Sequence, residues 1–195
     1  MSAQLIPSRI GFGSKALSLI PKNNNTKVLI IKTNAEYNHK ILETLTKYFT
    51  NIEIFNANKN INKNEGTNIN KLSVYKPNVV IVIGGGTTVD FAKRIKIELE
   101  KILNYRLYFV IIPSRLGSGT ESSMTSITRQ KKKKIISVNE GHLPNLVLYF
   151  YDLFKTISNI EHLMGYIDAI THCIESKTSF NSNIYSDFIS SATIE

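Results

Sequence analysis

Apolar residues are arranged in two ways along the chain. In residues 27–33 (KVLIIKT), 52–57 (IEIFNA), 78–84 (NVVIVIG) and 107–113 (LYFVIIP) they gather into short runs rich in Ile and Val. Between those runs they recur every three or four positions. Runs apolar at consecutive positions predict strands buried on both faces, and the wider spacing predicts helices with one buried face. Helices are therefore expected over 37–49, where Ile41, Leu42, Leu45 and Phe49 form the stripe, over 69–76, stopped by Pro77, and over 87–103. Strands and helices alternating in this order predict an α/β fold with a Rossmann-like parallel sheet covered on both faces.

The pattern changes after Pro113. Residues 114–123 (SRLGSGTESS) read as a Gly/Ser loop, 124–138 as two short strands around a basic turn, and 145–150 (NLVLYF) as a third strand after them. From Asn159 the spacing is helical to the end, apart from the polar break at 179–183 (SFNSN). The shift near Ser158 divides the chain into a dinucleotide-binding α/β domain, 1–158, and the beginning of an all-helical domain, 159–195. A helical piece of that size is too small to fold alone, so the expectation is a truncated second domain. Its apolar positions Ile167, Ile170 and Ile174 would be left uncovered, which favours association, for example into a homodimer.

Composition removes several function classes. No apolar run approaches a membrane span, and the N-terminus lacks a signal-peptide pattern, so a cytoplasmic protein without membrane contact is expected. The single cysteine, Cys173, excludes an internal disulfide and a cysteine-based zinc cluster. The net charge of +9 is mostly dispersed through Lys/Asn-rich segments. Only 129–134 (RQKKKK) is dense, and it reads as a solvated turn, not as a nucleic-acid site. Cys173 and Met164 read as core fillers.

The chemistry-bearing residues fall in three places. Gly84, Gly85 and Gly86 end a buried strand and lead through Thr87 and Thr88 into a helix, which presents bare N–H groups at the positive helix end and suits a phosphate. A tight strand-to-helix turn without a ligand is the alternative. The loop PSRLGSGTE follows the carboxyl end of another strand, where ligands bind in open α/β sheets. Asp168 and His172, at i and i+4, share a helix face and could hold one divalent cation, although the spacing by itself also fits a local Asp–His hydrogen bond. His39, His142 and His162 do not join that face.

Together these segments resemble the iron-containing, or group III, alcohol dehydrogenases. GGGTTVDFAK is similar to the family's Gly-Gly-Gly-Ser-x-x-Asp-x-Ala-Lys signature, and IPSRLGSGTESSMTSIT to its Pro-Thr-Thr-x-Gly-Thr-Gly-Ser-Glu loop. DAITHCIES followed by SFNSNIYSD is similar to its metal-binding helix and the Asn-x-x-Ser-Asp segment beyond. The resemblance implies an NAD(P)-dependent, metal-assisted alcohol dehydrogenase or aldehyde reductase acting on a small-molecule alcohol or aldehyde. It implies that Gly85, Gly86 and Thr87 hold the pyrophosphate and that Asp90, Ser114 and Ser118 line the nicotinamide side. Asp168 and His172 would supply two ligands to Fe²⁺ or Zn²⁺, and no side chain is assigned a catalytic proton. The family's other two ligands are histidines farther along, and no histidine follows His172, so the chain is expected to bind metal poorly. The family's acidic residue after the first strand falls at about Thr33, which admits NADP. Arg115 replaces a threonine. Phe150 stands where the family has an aspartate. The alternatives are a catalytically inactive nucleotide-binding remnant and, from the compact SFNSNIYSD segment, a fragment of a phosphonoacetaldehyde-type reductase.

Overall fold

The segment VVIVIG is buried at all six positions, and it forms the centre of a sheet because apolar side chains stand on both of its faces. The computed structural model describes residues 9–33, 38–57, 65–130 and 133–195. The strands are β1 (Ile10–Phe12), β2 (Val28–Lys32), β3 (Ile52–Asn56), β4 (Val79–Gly84), β5 (Tyr108–Pro113), β6 (Thr125–Gln130), β7 (Lys133–Val138) and β8 (Leu146–Tyr149). The helices are α1 (Asn38–Tyr48), α2 (Glu65–Tyr75), α3 (Gly86–Leu103), α4 (Tyr151–Phe154), α5 (Asn159–Thr178) and α6 (Ile184–Ile194).

Six strands pair in parallel in the order β1-β8-β5-β4-β2-β3, and β6 with β7 forms a separate antiparallel pair. The α/β fold expected from the runs of Val and Ile is therefore present. Side-chain alternation divides the core into two layers. Val28, Ile30, Ile81 and Ile83 pack with Ile41, Leu45 and Phe49 of α1 on one face. Leu29, Ile31, Val80 and Val82 pack with Ile69 and Leu72 of α2 and with Val89, Ile95 and Leu99 of α3 on the other. Each such side chain contributes roughly 1.5–3 kcal/mol by leaving water. Helix α3 stops at Asn104, whose left-handed φ of 57° lets its N–H close on Glu100 O at 2.9 Å.

Two assignments differ from the sequence reading. NLVLYF does not extend the hairpin; β8 runs parallel between β1 and β5 in the main sheet. Residues 10–12, too short for a pattern of their own, form an edge strand on β8. Of the basic cluster 129–134, residues 131 and 132 lie outside the described residues.

The chain divides into two compact units, one formed by 1–114 and 120–156, the other by 115–119 and 157–195. In the second, α5 and α6 are each started by a capping box, Ser158 with Glu161 and Asn183 with Ser186. Lys177 Nζ donates to Ser191 Oγ at 2.8 Å across the pair. No residue of α5 is buried. Met164 is 65% exposed, so it is not a core filler, and Ile167, Ile170 and Ile174 are exposed as well. Among the described residues, no helix is long and apolar enough to cross a membrane.

Candidate functional site

The order of the strands creates one natural ligand position. From β2 the chain passes through α1, on one face, to β3; from β4 it passes through α3, on the other face, to β5. Neighbouring β2 and β4 thus send their following helices in opposite directions, and a crevice opens between their carboxyl ends. Lys32 pairs with Ile83 at that end, so Thr33 and the glycine turn follow on adjacent strands.

Gly84 closes β4 because nothing larger fits: a Cβ there would lie 2.6 Å from the side chain of Thr88. Thr88 is buried, Thr87 exposed. Gly85 is the extended N-cap of α3, with φ −83° and ψ −177°, and its carbonyl accepts from Thr88 N at 3.0 Å and Val89 N at 3.1 Å. The N–H groups of Gly86 and Thr87 precede any possible intrahelical acceptor. No side chain caps this end, and the first turn holds no acidic residue. Among the described residues, the result is a positive helix terminus whose donors and charge meet no partner or anion. On the neighbouring strand, Ser114 N donates to Gly84 O at 3.0 Å, and the Ser114 side chain is fully buried.

Asp90 faces inward from α3. Its Oδ1 is the only buried polar side-chain atom found without a hydrogen-bond partner among the described residues, and Lys93 Nζ lies 4.0 Å away. Burial raises its pKa, against the Ile127 N–H and the Lys93 charge. Gly85, Gly86, Thr87 and Asp90 therefore share the start of one helix, with Ser114 beside them. Ser118, half-buried, belongs to the second unit.

In that second unit the loop 115–119 lies on α5. Gly117 has φ +118°, and a Cβ on it would be 2.3 Å from Gly165 O; a Cβ on Gly165 would be 2.5 Å from Leu116 O. Arg115 pairs with Glu161 one turn earlier on the same helix. Glu161, Gly165, Asp168 and His172 follow one another at helical spacing, so they share a face. His172 Nε2 is 3.5 Å from Asp168 Oδ1, and both side chains are about half exposed. The two donors suit a divalent ion in chemistry but not in number, because no group of three or more His, Cys, Asp or Glu forms a metal site among the described residues. After loading with Zn²⁺ and desalting, the chain is expected to retain well under one equivalent by elemental analysis, and Asp168→Ala none. Stoichiometric retention would contradict a two-donor site.

The residues missed by sequence reasoning are buried or half-buried polar and titratable groups. Lys93 is 0% exposed and donates to the carbonyls of Thr120 (2.7 Å), Ser123 (2.7 Å) and Thr125 (2.8 Å). Lys96 donates to Gly141 O at 2.9 Å and pairs with buried Glu100. His142 is buried with Nδ1 2.7 Å from Met124 O, and burial holds its pKa below the ordinary value. Tyr149 donates to Glu121 at 3.1 Å; burial and that carboxylate push the phenol's pKa up. A signal existed for α3: Val89, Lys93, Lys96 and Glu100 stand at spacings of four, three and four, one face of the helix, so its lysines share a side with buried valine. Segment SFNSN also has a local role, since Asn183 caps α6 and Ser182 Oγ donates to Asp187 at 2.6 Å.

Comparison with known proteins adds the following. The family model described as iron-containing alcohol dehydrogenase matches residues 7–150. The probable alcohol dehydrogenase EutG of Escherichia coli is 25% identical over 129 residues, 59% of this chain and 33% of that protein. The 4-hydroxybutyrate dehydrogenase of Clostridium kluyveri is 26% identical over 133 residues, 60% and 35% of the two chains. Among solved structures, the iron-containing alcohol dehydrogenase of Thermococcus thioreducens superposes with a TM-score of 0.81 at 19% identity, over 96% of this chain and 57% of that one. The chain thus spans about a third of these curated relatives and somewhat over half of this solved neighbour.

Proposed function

The chain belongs to the iron-containing alcohol dehydrogenase family, a family of oxidoreductases, and on that premise we propose that its α/β unit is an NAD(P) site. In this reading the N–H groups of Gly86 and Thr87, with the backbone of Gly85, take the pyrophosphate. Asp90 and Ser114 serve the nicotinamide side. When bound, the nucleotide would exchange hydride with a small alcohol or aldehyde, and a divalent ion would polarise the substrate oxygen. Asp168 and His172 offer that ion two donors.

The observation that carries the proposal is the uncapped, acid-free start of α3 at the crevice between β2 and β4. An 18-residue helix places a partial positive charge there, and the N–H groups of Gly86 and Thr87, without a partner among the described residues, add two donors. Thr33, neutral at the end of β2, repels no 2′-phosphate, so NADPH is expected to bind no more weakly than NADH. Fluorescence titration with both nucleotides tests this. Gly86→Glu, which puts a carboxylate where the pyrophosphate would lie, is expected to weaken binding roughly a hundredfold, about 3 kcal/mol. Failure of the parent chain to bind either nucleotide would sink the proposal, as would an unaffected Gly86→Glu variant.

The second reading is a nucleotide-binding module without redox chemistry; among the described residues no third metal donor joins Asp168 and His172. It predicts nucleotide binding with no alcohol-dependent reduction of NAD(P) when Fe²⁺ or Zn²⁺ is supplied. Metal-dependent turnover would exclude it.

A further inference from the structure

The lysine of the GGGTTVDFAK segment follows a phosphate-binding turn, a place where an ammonium would be expected to reach for phosphate. Its geometry says otherwise. Lys93 lies two turns into α3 from Gly86 and is wholly buried. An ammonium has three N–H donors, and the carbonyls of Thr120, Ser123 and Thr125 at 2.7 to 2.8 Å occupy all three. No donor remains for a ligand.

Those carbonyls belong to the segment by which the chain re-enters the α/β unit after the excursion 115–119. The departure is tied as well, by Ser114 N on Gly84 O at 3.0 Å. Both ends of the loop after β5 are thus fastened to β4 and α3, the elements that carry the glycine turn. The surroundings hold the ammonium in place. Asp90 Oδ1 lies 4.0 Å away, and the Glu121 carboxylate also acts on it favourably; the buried ring of His142, in the turn Glu140–His142, feels the charges of both Lys93 and Lys96. The hairpin is tied to the same helix, since Ser126 Oγ donates to Asp90 O at 2.9 Å and Arg94 to Thr128 Oγ1 at 2.6 Å.

We propose that Lys93 is a positioning residue that sets the segment 120–125, after β5 in the same unit, for the nicotinamide half of the dinucleotide, donating to three main-chain carbonyls and never touching the nucleotide. The inference rests on the NAD(P) reading above. It separates the two halves of the ligand: the pyrophosphate and adenosine depend on the glycine turn, the nicotinamide on that segment.

The experiment compares Lys93→Met with the parent chain for two ligands, the preferred reduced nucleotide and the matching ADP-ribose, with a 2′-phosphate if NADPH is preferred. The variant is expected to raise the Kd of the dinucleotide about tenfold, as when one molecule in ten keeps that segment competent. ADP-ribose affinity should change less than about twofold, because its donors at Gly86 and Thr87 are untouched. Equal losses for both ligands would mean a general structural effect and overturn the inference; so would no loss for either. If the methionine variant does not fold, Lys93→Gln, which retains two N–H donors, carries the same comparison. A parent chain that binds neither ligand fails the NAD(P) reading itself and takes the inference with it. Normal parent binding with an unaltered variant overturns the inference alone.

Discussion

Replacing Lys93 with methionine is expected to lower the free energy of unfolding by about 3 to 5 kcal/mol. The two side chains have similar length, so little packing is lost. What is lost is polar: three carbonyls give up their donor, and buried Asp90 gives up the nearest cation. The same residue gives the parent protein a pH signature. Burial pulls the Lys93 pKa from 10.5 down to about 8, against the attraction of Asp90 and Glu121. Between those values the unfolded chain keeps a proton that the folded chain has released. Unfolding free energy therefore rises with pH from about 8 toward 10, and the contribution is lost as pH falls through 8. The full span is on the order of 3 kcal/mol. Lys96, also lowered by burial, adds with the same sign. Above about pH 10 the profile should turn down, because burial raises the pKa values of Tyr75, Tyr105, Tyr108 and Tyr149 and they ionise first in the unfolded chain. Urea titrations across this range would show the rise in the parent and only the smaller Lys96 share in Lys93→Met. A flat parent profile between pH 8 and 10 would contradict the account.

Gly117→Ala is expected to release the loop 115–119 from α5 at a cost of about 2 to 4 kcal/mol to the second unit. Two penalties add. A φ of +118° is strained for any residue with a Cβ, and that Cβ would lie 2.3 Å from Gly165 O, a main-chain atom on a helix. Neither side of the contact is a side chain that can rotate away. Gly165→Ala meets the same wall from the helix, 2.5 Å from Leu116 O, and should act in the same direction. Because no residue of α5 is buried, this unit has little apolar packing with which to absorb the loss. Hydrogen exchange at 115–119 and across α5 measures it directly. Protection in Gly117→Ala equal to the parent would show that the loop has a second seat.

The Val/Ile runs at β2, β4 and β5 and the helical stripe of α1 were legible because their signals are local: consecutive apolar residues are buried on both faces, and three-to-four spacing builds one helix face. The glycine turn was legible for the same reason. The residues around it were less so. Thr87 and Thr88 look alike in the sequence, yet one is exposed and the other packs against Gly84, a distinction set by how α3 leaves β4.

Local patterns in the chain were enough for the parallel sheet, the glycine turn at a helix start, and the shared helix face of Asp168 and His172. That β8 joins the main sheet and supports the three-residue β1 came from the folded chain, because strand pairing is a choice among distant partners. The folded chain also decided that Lys93 is buried. A lysine belongs in water unless its three donors find acceptors, and here they come from a segment about thirty residues away that only folding brings together.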